Sequence, residues 1–311
     1  MKLKHFTIKK GSILHDLIRN RALYLLALPS IIWFIVFRYT PMVGIIIAFK
    51  EFNVVDGIFG SPWAGIKNFR FMFLTNDIWR VTKNTLFLNA LFLSAGLICS
   101  VGIALLINEI RNVWFKKITQ GLMLLPYFMS WVIIGAISYY ILGSEGLINS
   151  FFKAVGLNPV RFYFTPELWP GILTFSSVWK GIGFSSIIYL SAITGVDQEI
   201  YESAVIDGCN RFQQAIYMTL PCIVPTIIIM LLLAIGSIFY GDFGMIINMA
   251  KGTMLYKTTD IIDTYVFRAL RERSNFGLAS AAGFFQSVFG FITVVTFNKI
   301  VTMYDRDYAL F

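Results

Sequence analysis

Tyr201–Pro221 reads YESAVIDGCNRFQQAIYMTLP and separates two long apolar runs. Just upstream, Asp197 is a good N-cap, and Glu199 falls in the first turn, where the helix dipole favours an acidic side chain. The pattern predicts a helix from Gln198 to Asp207 that Gly208 ends in a left-handed conformation. Because it is short, polar and placed between membrane-length runs, this helix is expected to lie outside the lipid.

The charge of this segment indicates what the helix contacts. Its four acidic residues face a single basic residue, Arg211; the acids are Asp197, Glu199, Glu202 and Asp207. An anionic cytoplasmic leaflet would repel that charge, which argues against a helix lying on the lipid headgroups. Ala204 and Gly208 are four apart and predict a smooth stripe where another backbone can approach closely. We therefore expect a protein partner that carries basic groups.

The composition is that of a membrane protein. The chain has 311 residues, of which 57% are hydrophobic and 14% charged, and its mean hydropathy is +0.71; an average soluble domain has about 25% charged residues. The net charge of +9 is explained by basic residues that flank spans, and no nucleic-acid-binding module is visible. Three scattered cysteines and two histidines near the N-terminus predict neither a metal site nor a disulfide framework.

Six apolar runs are long enough to cross a bilayer, since a spanning helix needs about 20 apolar residues. The predicted spans are 22–48, 85–107, 118–144, 168–196, 212–241 and 274–298. They form one expected domain over 22–304, with the polar helix at about 197–208, a basic tail at 1–21 and a C-terminal tail at 305–311. No small-x-small cleavage pattern closes the first run, so we expect it to be a retained span rather than a signal peptide.

Basic residues in short loops predict the orientation. The N-terminal tail contains six, and the loop 108–117 contains three, so both are expected on the cytoplasmic side together with the C-terminus. The longer loops on the opposite side also contain basic residues, which the rule does not explain; they include Lys67, Arg70, Arg268, Arg271 and Arg273.

A known signature matches the opening stretch. Glu202-Ser203-Ala204, three residues, Gly208, nine residues and Met218-Thr219-Leu220-Pro221 resemble the EAA motif of ABC importer permeases, which reads EAA, three residues, glycine, nine residues, Ile-x-Leu-Pro. Ser203 and Met218 depart mildly from it, and Asp207 before the glycine resembles the carbohydrate-uptake branch. Further stretches, among them YTPMVGIIIAFKEFN (39–53) and SVWKGIGFSSIIYLSAI (177–193), resemble LplB-type sugar permeases over nearly all of 22–304.

The resemblance implies an all-α polytopic protein with six transmembrane helices and the type I ABC importer permease fold, in the inner membrane of a bacterium. It implies a transport subunit rather than an enzyme, paired with a second, similar permease, two ATP-binding subunits and an extracellular solute-binding protein. ATP and Mg²⁺ would be bound by the ATPase subunits, and this chain has no GxxxxGK[ST] loop of its own. The coupling helix that would dock on the ATPase is the polar helix, with the implied motif residues Glu202, Ser203, Ala204, Asp207, Gly208, Leu220 and Pro221.

The substrate path is predicted from a charge and from aromatic residues inside the spans. Lys180 lies near the middle of the fourth span, and an ionisable group at that depth is costly enough to be a functional candidate. It could line a cavity for a saccharide, or it could pair with a carboxylate or carbonyl at the interface with the second permease; both remain open. The candidate path residues are Tyr127, Trp131, Trp179, Lys180, Phe184, Tyr240, Asp242, Phe285 and Gln286.

Other functions are less consistent with the sequence. An ion-coupled secondary transporter would need an acidic or ion-coordinating cluster at mid-membrane, and the five later spans contain no interior carboxylate. A membrane enzyme would need paired carboxylates, a nucleophile motif or a metal cluster. Within the importer class, a permease for peptides or phosphorylated compounds is the alternative to a carbohydrate permease.

Overall fold

The computed structural model describes residues 20–304, and over these residues the chain is helical apart from loops and one antiparallel bridge between Lys50 and Trp63. The α-helices are α1 (Arg21–Phe34), α2 (Gly57–Gly60), α3 (Lys67–Leu74), α4 (Asn76–Glu109), α5 (Val113–Phe128), α6 (Trp131–Leu142), α7 (Leu147–Ala154), α8 (Trp169–Thr194), α9 (Gln198–Ile206), α10 (Arg211–Gln214), α11 (Leu220–Ile235), α12 (Phe243–Met249), α13 (Tyr256–Thr259), α14 (Ile262–Arg271) and α15 (Phe276–Tyr304). Two π-helical turns, Ile35–Tyr39 and Ala215–Thr219, and four 3₁₀ segments, Thr40–Phe49, Phe162–Phe164, Pro166–Leu168 and Thr253–Leu255, complete the set.

Within residues 20–304, six helical segments are long and apolar enough to cross a membrane, which confirms the predicted number. They are Arg21–Phe49, Asn76–Glu109, Trp131–Ala154, Pro166–Thr194, Arg211–Ile235 and Phe276–Met303. The predicted N-terminal tail, 1–21, lies almost entirely outside the described residues, and the predicted C-terminal tail, 305–311, lies wholly outside them.

The prediction of one continuous third span over 118–144 is wrong. The chain there forms two helices, α5 and α6, that meet at Met129 and Ser130. Pro126 occupies the last turn of α5, and the Ser130 hydroxyl accepts a hydrogen bond from the Ile133 N–H at 3.4 Å to start α6. The predicted fifth span is also too long, because its helix ends at Ile235 rather than 241 and the chain turns at Gly236.

In the later five crossings, α8 lies against α4, α5 and α11, whereas α15 packs against α14, α3 and α11. The buried side chains form three clusters. One, which involves α3 and α14, includes Met72, Tyr265 and Leu278; a second, which involves the start of α8 and α12, includes Trp169, Leu173 and Met249; the third, which involves the last turns of α4 and α8, includes Ala104, Tyr189 and Ile223. In lipid, close packing replaces the hydrophobic effect as the force between helices.

Two close backbone approaches follow from glycines. A Cβ on Gly183 of α8 would overlap the carbonyl of Met123 in α5, and a Cβ on Gly135 of α6 would lie 2.5 Å from the carbonyl oxygen of Asn248 in α12. By contrast, α1 buries no residue, whereas Thr40–Phe49 packs against α15. The first half of the first crossing is therefore the part of the bundle least covered by its own chain.

Candidate functional site

The polar helix begins and ends as its local sequence predicts. The Asp197 carboxylate accepts a hydrogen bond from the Glu199 N–H at 3.1 Å, and Gly208 adopts a left-handed conformation with a φ of +80°. The Cys209 N–H donates to the Ala204 carbonyl at 2.9 Å and the Gly208 N–H donates to the Val205 carbonyl at 3.1 Å. These two bonds are the Schellman ending of a helix, which satisfies carbonyls that would otherwise lack donors.

The helix is fixed to the bundle on one side. The Tyr201 hydroxyl lies 3.0 Å from the Thr219 hydroxyl, and the Gln214 amide donates to the Cys209 carbonyl at 3.0 Å. Ala204 is only 3% exposed, so it is covered by this chain and does not form the predicted open stripe for another backbone. Leu220 packs at the edge of the apolar cluster at this end. Three motif positions therefore have structural roles, Ala204, Gly208 and Leu220, and the π-helical turn Ala215–Thr219 leads into Leu220 and Pro221.

The opposite side of the helix is open. Glu202, Ser203 and Asp207 are exposed, and the side chain of Ile206 is 86% exposed. Within residues 20–304, neither Glu202 nor Asp207 takes part in a salt bridge. Exposed carboxylates beside an exposed isoleucine form a surface with both charge and apolar area, which is consistent with the apolar core and polar rim of a protein interface. Phe212, 73% exposed, extends the apolar part of this surface.

Lys180 is held by the break in the third crossing. Its ammonium donates to the main-chain carbonyls of Tyr127 and Met129, each at 2.7 Å, and of Pro126 at 3.4 Å. These carbonyls lie at the end of α5, where helix carbonyls lose their intrahelical donors; the Pro126 carbonyl also accepts from the Met129 N–H at 3.1 Å. An ammonium has three N–H groups, so this set of carbonyls occupies all of them. The charge is thereby satisfied inside the chain, an arrangement that neither of the two sequence-based alternatives contained.

Aromatic rings surround the same ammonium. The Lys180 nitrogen lies 5.5 Å from the centre of the Tyr127 ring and 5.4 Å from that of Trp131. Tyr127 stacks on Phe184 with ring centres 4.7 Å apart and an interplanar angle of 9°. The Trp131 indole N–H donates to Asp242 at 2.6 Å, and the other oxygen of Asp242 accepts from the Met245 N–H at 2.9 Å, which caps α12. Five predicted path residues therefore form one connected group.

The four remaining path candidates lie elsewhere. Trp179 and Tyr240 are exposed, and the Tyr240 hydroxyl lies 3.1 Å from that of Ser287. Phe285 and Gln286 are 7% and 5% exposed and pack inside the chain, so their place on the path remains a prediction. The Gln286 amide donates to the Phe239 carbonyl at 2.7 Å and to Asp263 at 3.2 Å, and it thus holds the segment between the last two crossings.

Two carboxylates in that segment were missed from the sequence. Burial raises the pKa of Asp263, although hydrogen bonds from the Gly241 N–H and from Gln286 stabilise its charge. Asp260 is buried and accepts both guanidinium N–H groups of Arg268, at 2.7 and 2.6 Å. Asp260 and Arg268 are eight residues apart on the same predicted outer loop, and this spacing was the sequence signal that could have indicated their ion pair. No group of three or more potential metal ligands occurs within residues 20–304.

Comparisons with known proteins identify the family. Residues 96–302 match the model of the binding-protein-dependent transport system inner membrane component. The chain is 36% identical to the polygalacturonan/rhamnogalacturonan transport system permease protein YteP of Bacillus subtilis (strain 168), over 96% of this chain and 93% of YteP. It is 33% identical to protein LplB of the same organism, over 93% of this chain and 91% of LplB.

A solved structure has the same fold. It is the crystal structure of a bacterial alginate ABC transporter in complex with a periplasmic protein bound to an alginate pentasaccharide; one chain superposes with a TM-score of 0.85 at 35% identity, covering 93% of this chain and 97% of that one. The predicted fold class, six crossings in the type I importer architecture, is confirmed. Together, the six crossings, the exposed helix between the fourth and fifth of them and these matches lead to one conclusion: the chain belongs to the binding-protein-dependent transport system inner membrane component family, whose members are transport subunits of ABC importers and not enzymes.

Proposed function

We propose that this chain is the transmembrane subunit of an ATP-driven importer that moves a carbohydrate, an oligosaccharide, into the cytoplasm. The observation that carries the proposal is the exposed acidic and apolar side of α9, set by local capping between the fourth and fifth crossings. Its other side is anchored to the bundle by Tyr201 and Gln214. A rigidly mounted helix with an open face can transmit movement from a soluble ATPase to the crossings.

The proposed partners follow from the same surface and from the family. Two ATP-binding subunits, which bind ATP and Mg²⁺, dock on Glu202, Ser203, Ile206 and Asp207 through basic groups. A second, similar permease completes the translocation path, and a solute-binding protein delivers the substrate on the other side. Both termini and α9 then lie in the cytoplasm of a bacterial cell, and the loops before α4 and α15 lie outside.

The substrate class is inferred from chemistry and from the names of relatives. YteP is named for polygalacturonan and rhamnogalacturonan, and the matching structure is of an alginate transporter. In this chain, the stacked rings of Tyr127 and Phe184 and the exposed Trp179 and Tyr240 offer flat apolar faces of the kind on which sugar rings stack. We assign Lys180 to holding these rings rather than to hydrogen bonding with sugar hydroxyls, because its three N–H groups are already used.

The test is the ATPase activity of the purified complete transporter in lipid, measured with its binding protein and a panel of ligands. The panel contains neutral oligosaccharides, uronic-acid oligosaccharides, peptides and a phosphorylated compound. We expect stimulation by a saccharide only when the binding protein is present. If only peptides or only the phosphorylated compound stimulate the ATPase activity, the carbohydrate assignment is wrong and that compound class replaces it. Import that persists without ATP would reject the ATP-driven mechanism.

The orientation is tested separately by cysteine labelling in intact cells after the native cysteines are replaced. Ser12→Cys is expected to be protected from a membrane-impermeant reagent, and Ser274→Cys to react with it. Labelling of Ser12→Cys from outside would reverse the proposed topology.

A further inference from the structure

A basic cavity lies at the end of the bundle opposite to α9. Its volume is about 560 Å³, and it is bordered by Lys67, Arg70 and Phe71 of α3, by Arg273 and by Phe276 at the start of α15. The first crossing ends at Phe49, α4 begins at Asn76 and α15 begins at Phe276, so three crossings reach this level together. The cavity is therefore at the boundary between the hydrocarbon and the headgroups of the bilayer.

The cations of this cavity outnumber its carboxylates by four to one: Lys50, Lys67, Arg70 and Arg273 against Glu51. The Lys50 ammonium is buried, donates to the Phe59 carbonyl at 2.9 Å and lies 5.2 Å from the centre of the Trp63 ring. Lys67 pairs with Glu51. Two of the four cations are left without a partner of either kind in the described chain.

Those two cations are Arg70 and Arg273. Within residues 20–304, neither guanidinium makes a salt bridge or a side-chain hydrogen bond. Arg268, by contrast, pairs with Asp260, which Arg80 of α4 also contacts. Arg70 and Arg273 are thus two outer basic residues that the positive-inside rule does not explain, that border this cavity and that have no salt-bridge partner within residues 20–304.

The rim of the cavity is apolar. Phe71 is 51% exposed and Leu74 is 74% exposed, and both border the same space. Unpaired guanidinium groups next to exposed apolar side chains at the end of a crossing suit a molecule that has an anionic head and a hydrocarbon body. Arginine binds phosphate through paired N–H groups more effectively than lysine does. The first turn of α15 adds positive potential to a cavity that the arginines already define.

We propose that this cavity binds the phosphate headgroup of an anionic phospholipid, with Arg70 and Arg273 on the phosphate and an acyl chain along Phe71 and Leu74. A cavity of this volume accommodates a headgroup, whereas an acidic protein surface would require a broad, flat area. The bound lipid would fix α3 against the start of α15. The inference depends on where the crossings end at the bilayer surface, and it does not depend on which substrate is transported.

The experiment uses the complete transporter in phosphatidylcholine nanodiscs that contain a small fraction of phosphatidylglycerol. Native mass spectrometry of the released complex counts retained phosphatidylglycerol as its concentration is varied. The test variant is the double substitution Arg70→Gln and Arg273→Gln; the charge-retaining variant is Arg70→Lys with Arg273→Lys. The control is Arg271→Gln, which removes an exposed arginine of the same loop that does not border the cavity.

We expect the double glutamine substitution to reduce the apparent affinity for phosphatidylglycerol about 30-fold, because it removes the attraction of two basic groups near the membrane surface for an anionic lipid. The lysine variant should lose less, and Arg271→Gln should retain wild-type binding. Equal retention by the wild type and the double variant would overturn the proposal. Two other results would also overturn it. Displacement of the retained phosphatidylglycerol by inorganic phosphate alone would identify a site for free anions. A double variant that retains phosphatidylglycerol but loses stimulation of its ATPase activity by the binding protein would identify a protein docking surface.

Discussion

Two regions interrupt the apolar chain: α9 and its flanking turns, which we call the coupling end because we propose that the ATPase docks there, and the break in the third crossing. Different ranges of sequence determine them. At the coupling end, Asp197 starts α9 and Gly208 ends it, and each acts on residues within five positions. At the break, the carbonyls of Tyr127 and Met129 depend on Lys180, which follows them by 53 and 51 positions. The comparison indicates that α9 is a local unit, whereas the centre of the bundle depends on contacts between crossings.

The largest effect is expected where two crossings touch through a glycine. Gly183→Ala places a Cβ against the Met123 carbonyl, and backbone on both sides prevents relief by side-chain rotation. We expect α5 and α8 to separate, with a loss of at least about 3 kcal/mol, at the upper end of overpacking effects. The yield and the thermal unfolding midpoint of the purified transporter measure it. Gly181→Ala is the matched control, since nothing lies within 4 Å of its added Cβ; equal losses in both variants would contradict the packing argument.

A charge reversal at the coupling end should affect partner binding without affecting the fold. Glu202 is exposed and unpaired within the described chain, so Glu202→Lys leaves the contacts of α9 in place. We expect about 2 kcal/mol less affinity for the ATPase, because like charges would meet at the interface. Co-purification of the ATPase and transport are the measurements.

Glu145→Lys makes the same charge change at the other end of the bundle, where Glu145 pairs with Lys153, and serves as the control. If Glu202→Lys supports a normal complex and full transport, the proposed docking surface is wrong.

Features that nearby residues determine were predicted from the sequence, whereas features that depend on contacts between crossings were not. The number of crossings, the N-cap of α9 and the left-handed Gly208 depend on nearby residues and were predicted from them. The break at Met129 and Ser130 was not, because Pro126 and Ser130 permit a break but Lys180 stabilises it from another crossing. The burial of Ala204 and Gln286 was also missed, since helical spacing alone does not specify which side of a helix its own chain covers.

Removing the Lys180 ammonium tests the break directly. Lys180→Met leaves the Tyr127 and Met129 carbonyls without this donor, and we expect the free energy of unfolding to fall by about 1–3 kcal/mol. The Tyr127 and Phe184 ring pair should then lose its fixed position, so transport should fall more than membrane insertion. The thermal midpoint and transport of the reconstituted complex provide the measurements.

Lys180→Arg retains a cationic donor and should recover part of both quantities. Trp179→Phe changes the neighbouring residue, which is exposed, and is the control for stability. Wild-type stability and transport in Lys180→Met would show that the carbonyl contacts have no energetic role.

The smallest effect is expected at Gly208, where the cost is conformational rather than steric. A Cβ at this position meets nothing within 4 Å, but its φ of +80° lies in the left-handed region. Gly208→Ala should therefore cost about 1–2 kcal/mol, the penalty of that conformation for an L-residue, and the loss should appear as weaker ATPase binding because the Schellman ending of α9 frays. Gly208→Asn should recover part of the affinity, since asparagine visits this region more readily. Gly183→Asn offers no such recovery, because its obstacle is the Met123 backbone and not its own dihedral angle. Rescue by asparagine at 208 but not at 183 would separate the local end of the molecule from its packed centre, and rescue at both positions would remove the distinction.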